Sequence, residues 1–139
     1  MIQNEHQYRV TKGEIEKLQE VIEKILLEKD SLNELQIVAM QATFQTQIDR
    51  MNAEIEEYEN LKAGKVDIKM SSIEDLPKAL IQKRISLDMT QRQLAEKLGI
   101  KEQMVQRYES NNYESASLHR LTEVWKALDL AMPEVIMAK

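Results

Sequence analysis

The sequence predicts an all-α protein, with an N-terminal helical hairpin or coiled-coil segment followed by a compact helical unit. Three observations carry this. Apolar residues recur at spacings of three and four through most of the chain. Glycine (3) and proline (2) are scarce among 139 residues, and aromatics are only 4%, so the core must come from Leu, Ile and Met on helices rather than from a sheet. A chain of this length makes one ordinary domain or two small ones, each with a thin core.

Residues 1–63 form the expected hairpin. The run "TKGE" has the form of a capping box: Thr11 accepts from the backbone three residues on and Glu14 reaches back, so a first helix is expected from there. Ile15, Leu18, Ile22 and Ile25 give it one apolar stripe. A break is expected at "KDSLN", residues 29–33. A second, longer stripe then runs through Ile37, Met40, Phe44, Ile48, Met51, Ile55 and Tyr58 with a period close to seven over two. A first helix as short as the one starting at Thr11 cannot bury that seam alone. These seven residues are therefore expected to form a homodimer interface, the alternative being a hairpin folded back onto the C-terminal unit.

Gly64 is expected to cap the second helix, and residues 64–72, with the alternating "VDIKM", to be an extended linker. Residues 73–139 read as a helical unit. Ser72 or Asp75 opens its first helix, Pro77 fits the first turn, and Leu76, Leu80, Ile81, Ile85 and Leu87 face inward. Thr90 with Gln93 forms a second capping box, and Gly99 stops that helix. Another helix follows from Lys101 to about Glu109, then the loop "SNNYESA". A helix from Ser117 to Leu128 carries Leu118, Leu121, Val124, Trp125 and Leu128, and a last short turn is expected after Pro133.

The net charge of −5 is uneven: residues 1–63 hold 7 Lys/Arg against 13 Asp/Glu, and residues 64–139 hold 12 against 11. Any anion-binding surface therefore belongs to the second half. The absence of cysteine suits a reducing cytosol, and neither an apolar leader nor an apolar run of membrane-spanning length is seen. A cytoplasmic protein without membrane contact is expected. His6 and His119 have no partner at ligand spacing, and neither nucleophile set nor phosphate-binding glycine pattern occurs, so no metal, no cofactor and no enzymatic activity are expected.

The run "MTQRQLAEKLGIKEQMVQRYESN", residues 89–111, carries the function. With Val105 at zero on a wheel of about 100° per residue, Tyr108 falls at about −60° and Glu109 at about +40°. Gln103, Arg107 and Ser110 fall opposite, between about 140° and 200°, with Glu102 and Gln106 on the flank. One face packs. The other offers amides, a guanidinium and a carboxylate, the groups that read guanine, adenine and cytosine edges, unless it is simply a solvated face.

This stretch resembles the helix-turn-helix of the Cro and lambda-type repressors, the Xre family: Gln91, a small residue four places later at Ala95, Gly99 at the turn, and β-branched Val105 in the second helix. Ala95 lets two helices approach, Gly99 takes a left-handed conformation, and Val105 fills the angle between them. The resemblance covers residues 73 to about 137 and implies a five-helix, lambda-repressor-like domain whose helix from Lys101 enters the major groove. Carried over by position, Glu102, Gln103 and Arg107 are base contacts, Gln106 a flanking contact, and Gln91 a phosphate contact. Arg84 and Glu109 match the family's structural ion pair. The implied function is a sequence-specific transcriptional regulator binding double-stranded DNA at a palindromic operator as a dimer. It also resembles antitoxin-type regulators, whose acidic hairpin would contact a basic toxin. The alternative is a protein-interaction module whose helix-turn-helix no longer reads DNA.

Overall fold

The computed structural model describes residues 1–28 and 33–130. All regular structure among them is helical: α1 (Glu5–Leu27), α2 (Glu34–Lys62), a 3-10 turn (Ile73–Asp75), α3 (Leu76–Ser86), α4 (Gln91–Leu98), α5 (Glu102–Ser110) and α6 (Leu118–Ala127). The chain divides into two compact units, Met1–Glu59 and Asn60–Lys139, with the division falling inside α2. Most of the expected break at residues 29–33 and the expected turn after Pro133 lie outside the described residues.

In the first unit α1 starts earlier than its capping-box motif suggests. Asn4 is the N-cap, its side chain accepting from the Gln7 backbone N–H at 2.8 Å, while the Gln7 side chain accepts from the Gln3 backbone N–H at 2.8 Å. Thr11 and Glu14 therefore lie within the helix. Once a turn has nucleated at Asn4, each added residue gains a backbone hydrogen bond, and a second cap signal downstream has no orphan donor to satisfy. α2 is capped by Asn33, whose side chain accepts from Leu35 N–H at 2.8 Å.

The two helices run antiparallel. Near the start of α1 and the end of α2, the Tyr8 and Tyr58 rings lie 5.3 Å apart, the Tyr58 hydroxyl donates to Glu5 at 3.2 Å, and Tyr8 donates to Glu59. Further along, Glu14, Lys17 and Leu18 line one shallow groove with Gln47, Arg50 and Met51. Ile15 and Ile25 are buried in α1; Ile37, Ile48, Ile55 and Tyr58 are buried in α2 at 3–9% exposure. Phe44 and Met51 are half-buried, and Met40 is 38% exposed.

Four of the seven residues expected at a dimer seam are thus buried within one chain, and Met40, Phe44 and Met51 keep partial exposure. The premise was a first helix too short to cover it. With 23 residues, α1 is about 35 Å long, and the seam from Ile37 to Tyr58 is already largely buried within one chain. Its period reports a face that leaves water, most of it within the hairpin itself.

In the second unit, Gly64 at φ +68° closes α2, with Gly64 N–H on Leu61 C=O and Lys65 N–H on Asn60 C=O, both 3.0 Å. The Asp75 carboxylate gathers the Ser71 N–H, Ser71 hydroxyl and Ser72 N–H at 2.8, 2.8 and 3.1 Å, starting the 3-10 turn that leads into α3. Those donors hold the Asp75 carboxyl below its ordinary pKa. Ala79, Leu80, Ile81 and Ile85 from α3, Leu94 and Ala95 from α4, Val105 from α5, and Val124 and Leu128 near and beyond the end of α6 form the core, each 0–2% exposed. Of the expected core residues, Leu76, Leu121 and Trp125 are half-buried at its margin and two are exposed. Leu87 follows the end of α3 and is 45% exposed; Leu118 is 76% exposed because it lies about 120° round α6 from Val124.

Candidate nucleic-acid interface

α4 and α5 pack against each other, and α4 also packs on α6. α4 begins with a reciprocal capping box: Gln93 N–H donates to the Thr90 hydroxyl at 3.0 Å, and Thr90 N–H donates to the Gln93 side chain at 2.9 Å. It ends at Gly99, φ +69°, with Gly99 N–H on Glu96 C=O at 3.2 Å and Ile100 N–H on Ala95 C=O at 3.0 Å. A Cβ at Gly99 would meet nothing within 4 Å. Glycine is required there by the left-handed backbone rather than by space. The turn delivers the chain into α5, whose Val105 is 1% exposed and whose Tyr108 stacks on Tyr113 at 5.6 Å.

The inner edge of α5 is polar as well as apolar. Arg84 and Glu109 meet in a two-pronged ion pair: Nε to Oε2 at 2.6 Å and Nη2 to Oε1 at 2.7 Å, with side chains 3% and 0% exposed. Arg84 Nη1 also donates to Met89 C=O at 2.7 Å, tying α3 to the chain just ahead of α4. Gln91 completes the cluster, its Nε2 donating to Glu109 Oε1 at 2.9 Å. Buried charges persist only with such satisfaction. Here α3, α4 and α5 each contribute a group to one fully buried carboxylate cluster. Tyr113 packs nearby; burial first, then the Glu109 charge, pushes its hydroxyl pKa well upward.

The expected role of Gln91 changes accordingly. Its side chain is 4% exposed, drawn inward by Glu109, so the side-chain phosphate contact carried over from the family pattern does not describe this conformation. Helix-start backbone N–H groups and the exposed Arg92 remain on that side.

The outer face of α5 holds the remaining candidates. Glu102, Gln103, Gln106, Arg107 and Ser110 are all exposed. Gln106 Nε2 stands 3.5 Å from Glu102, and the Ser110 hydroxyl is turned back onto Arg107 C=O at 2.9 Å. Gln103 and Arg107 project with no side-chain hydrogen bond among the described residues. Arg92, 75% exposed and pairing with Glu96 at 3.4 Å, and exposed Lys101 stand at the beginnings of α4 and α5. The motif pattern passes over both; a cation at a helix start, where an anion would bind, was the available signal.

No described helix is long and apolar enough to cross a membrane. A family model described as "Helix-turn-helix" matches residues 80–135. No curated protein and no solved structure matches the chain. The capped α4, the glycine turn, the outward face of α5 and this match lead to one conclusion: the second unit carries a helix-turn-helix domain, similar to those of DNA-binding transcriptional regulators.

Proposed function

We propose that the protein is a sequence-specific, dimeric transcriptional repressor that acts in the cytoplasm on an inverted-repeat operator. The supporting observation is the division of α5: Val105, Tyr108 and Glu109 are locked inward while Gln103 and Arg107 are held outward on a rigid element. Arg and Gln side chains on one face of a fixed helix suit bidentate contacts to guanine and adenine, with Glu102 accepting from a cytosine amino group. Two copies would place two reading helices one helical turn of DNA apart. That arrangement offsets weak non-specific attraction from a half with 12 Lys/Arg against 11 Asp/Glu. In this division of labour residues 1–63 serve association, residues 64–72 link, and residues 73–139 read DNA.

Selection of bound fragments from random DNA at two salt concentrations tests the reading. A palindromic motif should emerge, and Arg107→Ala should weaken binding to it by about 1–3 kcal/mol and relax one base position. No selected motif from a folded protein would refute the repressor.

The acidic hairpin favours a second function alongside the first. With 13 Asp/Glu against 7 Lys/Arg, residues 1–63 suit a basic protein, as in an antitoxin that represses its own operon. A motif-free protein that retains a basic partner on copurification would instead be an interaction module.

A further inference from the structure

α2 carries an apolar surface that the seam does not use. From Leu35 to Ile48 it runs fourteen residues without a charged side chain, in a chain that is 31% charged. Ile37, Met40, Phe44 and Ile48 belong to the inward seam. Leu35 and Ala42 lie about 140–160° round the helix from Ile37, flanked by Val38 and Ala39. All four are exposed, Leu35 at 78% and Val38 at 63%. The spacing 35, 38, 42 is that of a helix-pairing stripe.

The hydroxyls along this stretch are already satisfied. The Thr43 and Thr46 hydroxyls donate to Ala39 C=O and Ala42 C=O at 2.9 and 2.8 Å. Drying the surface therefore strands no hydroxyl donor.

We propose that the outer face of Leu35, Val38, Ala39 and Ala42 is where a second copy of the chain docks, α2 against α2 about a two-fold axis. Charge selects this occupant. A basic partner gains nothing at an uncharged face and is drawn to the acidic remainder of residues 1–63, whereas two such acidic segments repel each other except where charge is missing. An interface related by a two-fold axis must also complement itself, and an uncharged, small-residue face does so without like-charge contact. The stretch spans about 20 Å of helix, room for two heptads of pairing. This surface supplies the two-fold axis on which the dimeric repressor rests. A double variant that dimerises like the parent sinks this surface alone and leaves the dimeric repressor standing, whereas a monomeric parent sinks both.

In sedimentation velocity at micromolar concentration the full chain should run as a dimer. The double variant Val38→Glu/Ala42→Glu should weaken the dimer about tenfold or more, with helical circular dichroism unchanged because both sites are solvent-facing. Val10→Glu, on an exposed α1 position, should leave the dimer intact. Because the chain has no cysteine, Ala42→Cys near the centre of the stretch should oxidise to a covalent dimer faster than Gln19→Cys on exposed α1. A monomeric parent, or a double variant that dimerises like the parent, would overturn the assignment.

Discussion

The two units are held together by different physics. In the first, α1 and α2 share an apolar seam, and the side-chain hydrogen bonds described between them cluster where Tyr8, Tyr58, Glu5 and Glu59 meet. In the second, a buried carboxylate is shared by Arg84 and Gln91, and helix ends are closed by left-handed residues: Gly64, Asp88, Gly99, Asn112 with Tyr113, and Asp129. A seam of aliphatic side chains is non-directional and tolerates repacking. A buried ionic cluster fails as a whole when one member is removed. The second unit is therefore built to hold one arrangement of α3, α4 and α5.

Removing the shared carboxylate breaks that contrast most severely. Glu109→Ala leaves the Arg84 guanidinium buried without its carboxylate and should destabilise the second unit by about 3–5 kcal/mol. Urea unfolding followed through the fluorescence of Trp125, the chain's single tryptophan, checks this. Ile48→Ala, at 3% exposure in the seam, should cost about 2–4 kcal/mol, read as an earlier loss of helical circular dichroism.

The alkaline limb sharpens the comparison. The folded state raises the Tyr113 pKa, so it favours the neutral phenol. Its contribution is whole below the ordinary value of about 10 and is lost as pH climbs from there toward the raised value. Each pH unit in that window should lower stability by about 1.4 kcal/mol, and Tyr113→Phe should flatten the loss in a denaturation series.

The smallest effects are gains. Asn112 has φ +54°, and Asn112→Gly should add about 0.5–1 kcal/mol by relieving the left-handed backbone. Gly13 lies inside α1, where an added methyl group would meet nothing within 4 Å, so Gly13→Ala should add a similar amount. Thermal melts resolve both.

Legibility followed the range of the signal. Thr90 with Gln93, and Gly99, act over four residues or fewer, and their geometry appears where the motif put it. The outward set on α5 came from one angular step repeated along a short helix. Arg84 and Glu109 came through family resemblance, since nothing local joins residues 25 apart. The capping pattern pointed to Thr11 as the start of the first helix, whereas the structure starts it at Asn4, which that pattern passed over.

The amino-acid sequence by itself determined that the chain is helical, where α4 caps and turns, and which residues of α5 oppose its buried edge. These follow from backbone preferences and a fixed helical step. Only the tertiary structure decided that α1 is long enough to cover the seam of α2, and that Gln91 turns inward to Glu109. Periodicity marks a face that must leave water, but what meets that face depends on partners distant in the chain. Likewise an amide at a helix start satisfies either a phosphate or a buried carboxylate, and three-dimensional proximity settles which one it meets.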